Sequence, residues 1–128
     1  MAALAEGIPV VSGVASNDGG RMMATVVLSA EVEPIAQYAA EEFVWHVERA
    51  TGVRLPVVKE SAVPASAKPR IYIGSTRAAA EAGINVQTLA SEAFVLRTRD
   101  GHLFIAAQDG PGDPLALGNT FSGSLWGV

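Results

Sequence analysis

Residues 38–58 constrain this chain more than any other stretch, reading Tyr-Ala-Ala-Glu-Glu-Phe-Val-Trp-His-Val-Glu-Arg-Ala-Thr-Gly-Val-Arg-Leu-Pro-Val-Val. A helix runs into a glycine and leaves it directly as a strand. At 100° per residue, Ala36, Ala39, Ala40, Phe43, Val47 and Ala50 fall in one narrow apolar arc, small enough for the helix to lie close on a sheet. Gly52 supplies the stop, since glycine enters the left-handed C′ conformation without a steric cost. Leu55-Pro56-Val57-Val58 then reads as a strand with its proline near the start, where a missing N–H is tolerated.

The neighbouring segments extend this unit in both directions. Ala24-Thr-Val-Val-Leu-Ser29 is a β-branched apolar run of strand length. Glu33-Pro34 opens the helix, with proline at or near its first position and an acid beside the positive end of the helix dipole. Residues 24–59 therefore form a β-α-β unit. Arg70-Ile-Tyr-Ile-Gly74 is a further strand, and Ser75-Thr76 is placed to cap a helical turn that Gly83 ends. Asn85 is placed to cap another short helix, over 86–91.

Residues 93–107 are a hairpin about Asp100-Gly101, a dipeptide whose turn matches strand twist. Counting outward pairs Thr98 with Leu103, Leu96 with Ile105 and Phe94 with Ala107, on one face expected to meet the helix. Leu96, Ile105, Phe43 and Val47 are the expected core of that contact. Arg97 and Phe104 fall on the other face, expected to be partly wet. Before these elements, 1–23 reads as an N-terminal arm, with a possible strand at Ile8-Pro-Val-Val and a turn-rich loop at 16–20.

Four pieces in this order resemble a family. Ala-Ala-Glu-Glu-Phe at 39–43 followed by Ala-Thr-Gly-Val-Arg-Leu-Pro-Val-Val at 50–58 is similar to a signature found before the catalytic barrel of several glycoside hydrolases. These are the family 20 β-N-acetylhexosaminidases, the α-glucuronidases and related bacterial proteins. Arg70-Ile-Tyr-Ile-Gly-Ser-Thr, the hairpin 94–106 and Gly123-Ser-Leu-Trp-Gly-Val fit the same sequence of elements. The last piece is similar to the opening of the family's second helix. The resemblance spans 24–128 and implies an α+β accessory domain of the β-hexosaminidase domain 2 type. It also implies a two-layer sandwich: a small, mostly antiparallel sheet, helices on one face, the other face open, and a second helix truncated at Val128. The loop at 108–122 is longer than the family pattern, and the chain reads as a fragment of a longer one.

Composition narrows the function. The net charge is −4 with no basic cluster, which argues against nucleic acid, whose phosphates such a cluster neutralises. No apolar run reaches the ~20 residues that cross a bilayer, so no membrane partner is expected. The chain has no cysteine, which removes disulfides and thiolate chemistry. Ala3-Leu4-Ala5 is similar to the end of an export signal, so a secreted or periplasmic location is one expectation, against an ordinary alanine-rich start.

Candidate sites are few. Gly74-Ser75-Thr76 could cradle an anion but lacks the glycine and lysine of a P-loop, and a plain helix cap explains it. Glu42 and His46 sit four apart, yet a metal needs three or four ligands. His102 has no triad spacing. Asp109 and Asp113 are the only close acids in a loop, and their Gly/Pro-rich setting suits turns better than a paired-carboxylate glycosidase site. No catalytic residue, metal ligand or cofactor is therefore assigned. Tyr38 and Trp45, seven apart on the helix side opposite Phe43, are the candidate interface. The expected function is non-catalytic, packing on a following catalytic barrel of the same parent chain. The alternatives are a self-contained carbohydrate-binding or protein-interaction module using Trp45 or the 109–122 loop, or, with no supporting constellation, a small hydrolase.

Overall fold

The computed structural model describes residues 7–12, 21–22, 24–116 and 122–128. The Ala3-Leu4-Ala5 tripeptide, the loop at 16–20 and positions 117–121 of the long loop lie outside the described residues. Two short strands, β1 (Val11–Ser12) and β2 (Arg21–Met22), pair antiparallel in the arm, so the strand expected at 8–11 begins only at Val11. The body follows as β3 (Thr25–Leu28), α1 (Pro34–Thr51), β4 (Val57–Lys59), β5 (Arg70–Ile73), α2 (Arg77–Glu81), β6 (Phe94–Arg99), β7 (His102–Ala107) and α3 (Gly123–Gly127). Short 3₁₀ turns occupy Glu60–Ala62 and Val86–Thr88.

The fold class is α+β, built on a five-stranded mixed sheet of order β4-β3-β5-β7-β6. The expected antiparallel majority does not hold. Strand β3 runs parallel to β4 and β5, and β5 runs parallel to β7; only the β6–β7 hairpin is antiparallel. The helices also lie on both faces rather than one. Val26, Leu28, Ile71, Ile73 and Ile105 point towards α1, where they pack with Ala39, Ala40 and Val44. Val27, Tyr72, Phe104 and Ala106 point the opposite way and pack with Ala79, Ala82, Ile84 and Val86 of α2 and the turn after it. Central parallel strands bury both faces, which is why β3, β5 and β7 are apolar runs instead of alternating ones.

Helix α1 begins with Pro34 at its first turn and ends at Gly52, whose φ of 75° returns its N–H to the Glu48 carbonyl. Its buried residues are Ile35, Ala36, Ala39, Ala40 and Val44, while Phe43 and Val47 are only partly buried and Ala50 is exposed. The arc read from sequence is thus correct at its N-terminal end and leaves the sheet towards its C-terminal end. There Phe43, Val47 and Ala50 line an apolar groove of about 840 Å³ with Ile8, Val10, Val11 and Leu125.

The hairpin has the expected register throughout, from Arg99 opposite His102 to Phe94 opposite Ala107. Asp100 and Gly101 take φ of 52° and 76°, the conformation that a two-residue turn of this hand requires. Two expectations about its faces are corrected. Leu96 is 57% exposed instead of in the core, because β6 is the sheet edge and α1 does not reach it. Phe104 is buried rather than wet: it stacks on Tyr72 at 5.0 Å under the α2 layer. Arg97, on the same face, donates to the Ala82 carbonyl at 3.0 Å.

Candidate functional site

The outer side of α1 is the part of the surface that local propensity does not account for. Trp45 is 51% exposed, turned away from the alanine arc that meets the sheet. The Arg49 guanidinium lies 5.6 Å from its ring centroid, and His46 meets it edge-on at 4.8 Å. Arg49 follows Trp45 by one helical turn, the spacing that brings side chains together on a helix surface. His46 is held in place because its Nδ1 donates to the Glu42 carbonyl at 2.8 Å.

Tyr38 and Trp45 do fall together, lining a shallow groove of about 430 Å³ with Glu41, Glu42 and Arg54. A hydrogen bond to Glu42 holds the Tyr38 phenol above its ordinary range; partial desolvation and the charges of Glu42 and Glu41 push the same way. Arg54 comes from beyond the helix end, and its Nη1 donates to Glu48 at 2.7 Å. The groove therefore offers an aromatic wall, a phenol, two carboxylates and a guanidinium. That set suits hydroxyl-rich or protein surfaces better than a buried apolar ligand. Arg54 went unread in the sequence because its position depends on how the chain turns after Gly52.

The remaining candidates serve the fold. Thr76 caps α2 by accepting the Ala79 N–H at 3.1 Å. The next free donors, the N–H groups of Arg77 and Ala78, go to the two oxygens of Glu60 at 2.8 and 3.0 Å. The anion place beside Gly74-Ser75-Thr76 is thus filled by the chain's own carboxylate. Asn85 caps as expected, accepting from the Gln87 N–H, but the short helix expected over 86–91 is only the 3₁₀ turn Val86–Thr88. His102 sits with its Nδ1 accepting the Arg70 N–H at 3.0 Å, and burial, with Arg70 and Lys68 nearby, lowers its pKa.

Asp109 reaches across the long loop to α3. One oxygen accepts the Ser124 N–H at 3.0 Å and the other the Ser124 hydroxyl at 2.5 Å. Burial raises its pKa, and the two Ser124 hydrogen bonds oppose that rise. Asp113 accepts the Leu115 N–H at 2.9 Å in a local turn. Each acid serves the fold, Asp113 in its local turn and Asp109 as a cap for a helix whose own N-cap residue, Ser122, makes no side-chain cap bond. Among the described residues no three His, Cys, Asp or Glu side chains are gathered as a metal would need.

These features define an α+β domain with a polar-aromatic groove on its long helix. No protein-family model matches the chain, and no curated protein matches it.

Proposed function

We propose that this chain is a non-catalytic accessory domain of a carbohydrate-processing enzyme, packing against a catalytic barrel through the outer side of α1. The observation that carries the reading is the half-exposed Trp45 beside Tyr38 on the outer side of α1, away from the buried alanines that meet the sheet. A large aromatic residue so placed contributes most when a partner buries it. The placement of the resembling motifs supports the same reading. Ala-Ala-Glu-Glu-Phe falls on α1, Thr51-Gly52 at its end, Leu55-Pro56 at the entry to β4, Arg70–Ile73 on β5 and Gly123–Gly127 on α3. A sheet with both faces covered departs from the two-layer form the resemblance implies, and the β-hexosaminidase domain 2 assignment stays part of the proposal.

A second reading, a sugar-binding module, is favoured by the groove itself, whose carboxylates and guanidinium flank an aromatic wall. Trp45→Ala separates the two when thermal unfolding is measured on this chain and on the longer parent protein. The accessory reading expects little change in the isolated chain and, if Trp45 is a central anchor, a loss of about 2 kcal/mol or more of domain docking in the parent. No effect in the parent, together with quenching of Trp45 fluorescence by oligosaccharides in a Trp126→Phe background, would favour the sugar module. A stop codon directly after Val128 would remove the accessory reading.

A further inference from the structure

Strand β6 forms one edge of the sheet, and no described strand pairs with its outer side. Its outward-facing backbone groups can be assigned. The Gly74 N–H donates to the Ile105 carbonyl at 2.8 Å, so Ile105 directs its backbone groups to β5 and away from β6. Leu96, which faces Ile105 across the hairpin, must then direct its own N–H and C=O outwards. The alternation of a strand adds Phe94 and Thr98. Arg99 and His102, closing the two-residue turn, have the opposite phase, as a hydrogen-bonded pair should.

Two of these three residues are apolar and exposed: Phe94 is 40% and Leu96 57% exposed. Among the described residues the strand lacks several of the usual protections of an edge. It contains no proline and no lysine, and its pairing with β7 runs without a bulge. Its two arginines lie on the other face, where Arg97 is tied to the Ala82 carbonyl. Helix α3 lies over the β6–β7 boundary. A Cβ on Gly127 would meet both Ile105 and Phe94, and one on Gly123 both Ala93 and Ala107. Leu125 turns into the groove beside α1, which leaves Trp126, 60% exposed, on the flank towards the β6 edge.

We propose that β6 is a self-association edge, pairing antiparallel with β6 of a second copy of this chain about a twofold axis at Leu96. This register uses every outward-facing residue: Leu96 opposes the partner's Leu96, and Phe94 opposes the partner's Thr98. Arg97 then stands opposite the partner's Val95, so no like charges meet within 94–98. The two sheets become one of ten strands. The two α3 helices would lie about two strand spacings apart across the sheet but displaced along it, each over its own copy's Ala93–Phe94 end and on opposite sides of the axis at Leu96. Trp126 of each copy would close over the paired leucines. The outer side of α1 stays free, so this inference is independent of the proposed accessory role.

Because the chain has no cysteine, single cysteines report the register cleanly. In a hydrogen-bonded antiparallel pair the Cα atoms are about 5.5 Å apart, within the range a disulfide spans. Leu96→Cys should cross-link under mild oxidation. Thr98→Cys should not, because its copies stand four residues apart along the strands, roughly 13 Å. Sedimentation equilibrium should show a dimer of the 128-residue chain, and Leu96→Lys, which sets two ammonium groups face to face, should weaken it by more than about tenfold. Circular dichroism on all three variants checks that each is folded; Leu96 and Thr98 are exposed, so folding should persist. A chain that is monomeric at high micromolar concentration overturns the proposal. So does cross-linking of Thr98→Cys as fast as Leu96→Cys, or a dimer that Leu96→Lys leaves intact. A monomer that instead binds another protein along β6 overturns it as well.

Discussion

Gly74→Ala tests how closely α1 lies on the sheet. Gly74 follows β5 with φ of 92°, and a Cβ built there would sit 2.9 Å from the Cβ of Ala36 on α1. Asp109 and Ser124 lie at ordinary contact distances, 3.7 and 3.8 Å, so the clash is with the helix alone. Ala36 has no side-chain torsion by which to yield, so α1 itself must shift. The positive φ costs an alanine about 1–3 kcal/mol and the overpacking about 1–3 kcal/mol more, giving roughly 2–6 kcal/mol in all. Ala36→Gly alone should cost no more than about 1 kcal/mol beyond its lost methyl, since the site lies in the first turn of the helix. The double variant removes the clash and keeps the strained φ, so the two changes should couple favourably by about 1–3 kcal/mol. Urea unfolding of the four chains at one temperature measures this. A cost for Gly74→Ala below about 1 kcal/mol, or a coupling within about 0.5 kcal/mol of zero, would refute the close approach of α1 and β5.

Two further outcomes follow from the sheet edge and from His102. Ile105→Ala should cost about 2–5 kcal/mol and Leu96→Ala less than about 1 kcal/mol in urea unfolding, because one is buried and the other exposed; equal losses would place β6 inside the core. His102 has its folded pKa below the ordinary 6.5, so between those two values the unfolded chain binds more protons. Stability should therefore fall as pH drops through 6.5, level off below the folded pKa, and lose that slope in His102→Gln; a slope unchanged in the variant would assign it to another group.

Much of the local structure was legible in the sequence. Pro34 and Gly52 bound α1 because each acts on the backbone at its own position. The Asp100-Gly101 turn set the hairpin register residue by residue, since a two-residue loop leaves one way to count outward. Thr76 and Asn85 cap within three residues of themselves. The exposure of Trp45 followed from helical phase, although its groove needed Arg54 from beyond the glycine.

What only the tertiary structure decided involves partners far apart in sequence. The order β4-β3-β5-β7-β6 places three parallel pairings in the sheet, and no local pattern states which strands become neighbours. The runs Val26-Val27-Leu28, Ile71-Tyr72-Ile73 and Leu103-Phe104-Ile105 did carry a hint, for strands apolar on both faces are those a parallel sheet buries twice. Leu96 and Phe104 show the limit of alternation. It sorted them correctly to opposite faces, but burial depended on whether α1 reaches the edge and whether α2 covers the far side. Glu60 capping α2, His102 accepting from Arg70 and Asp109 capping α3 bridge 17, 32 and 15 positions. A polar side chain at such a distance leaves no periodic trace, because its role is set by which segments the core has already brought together.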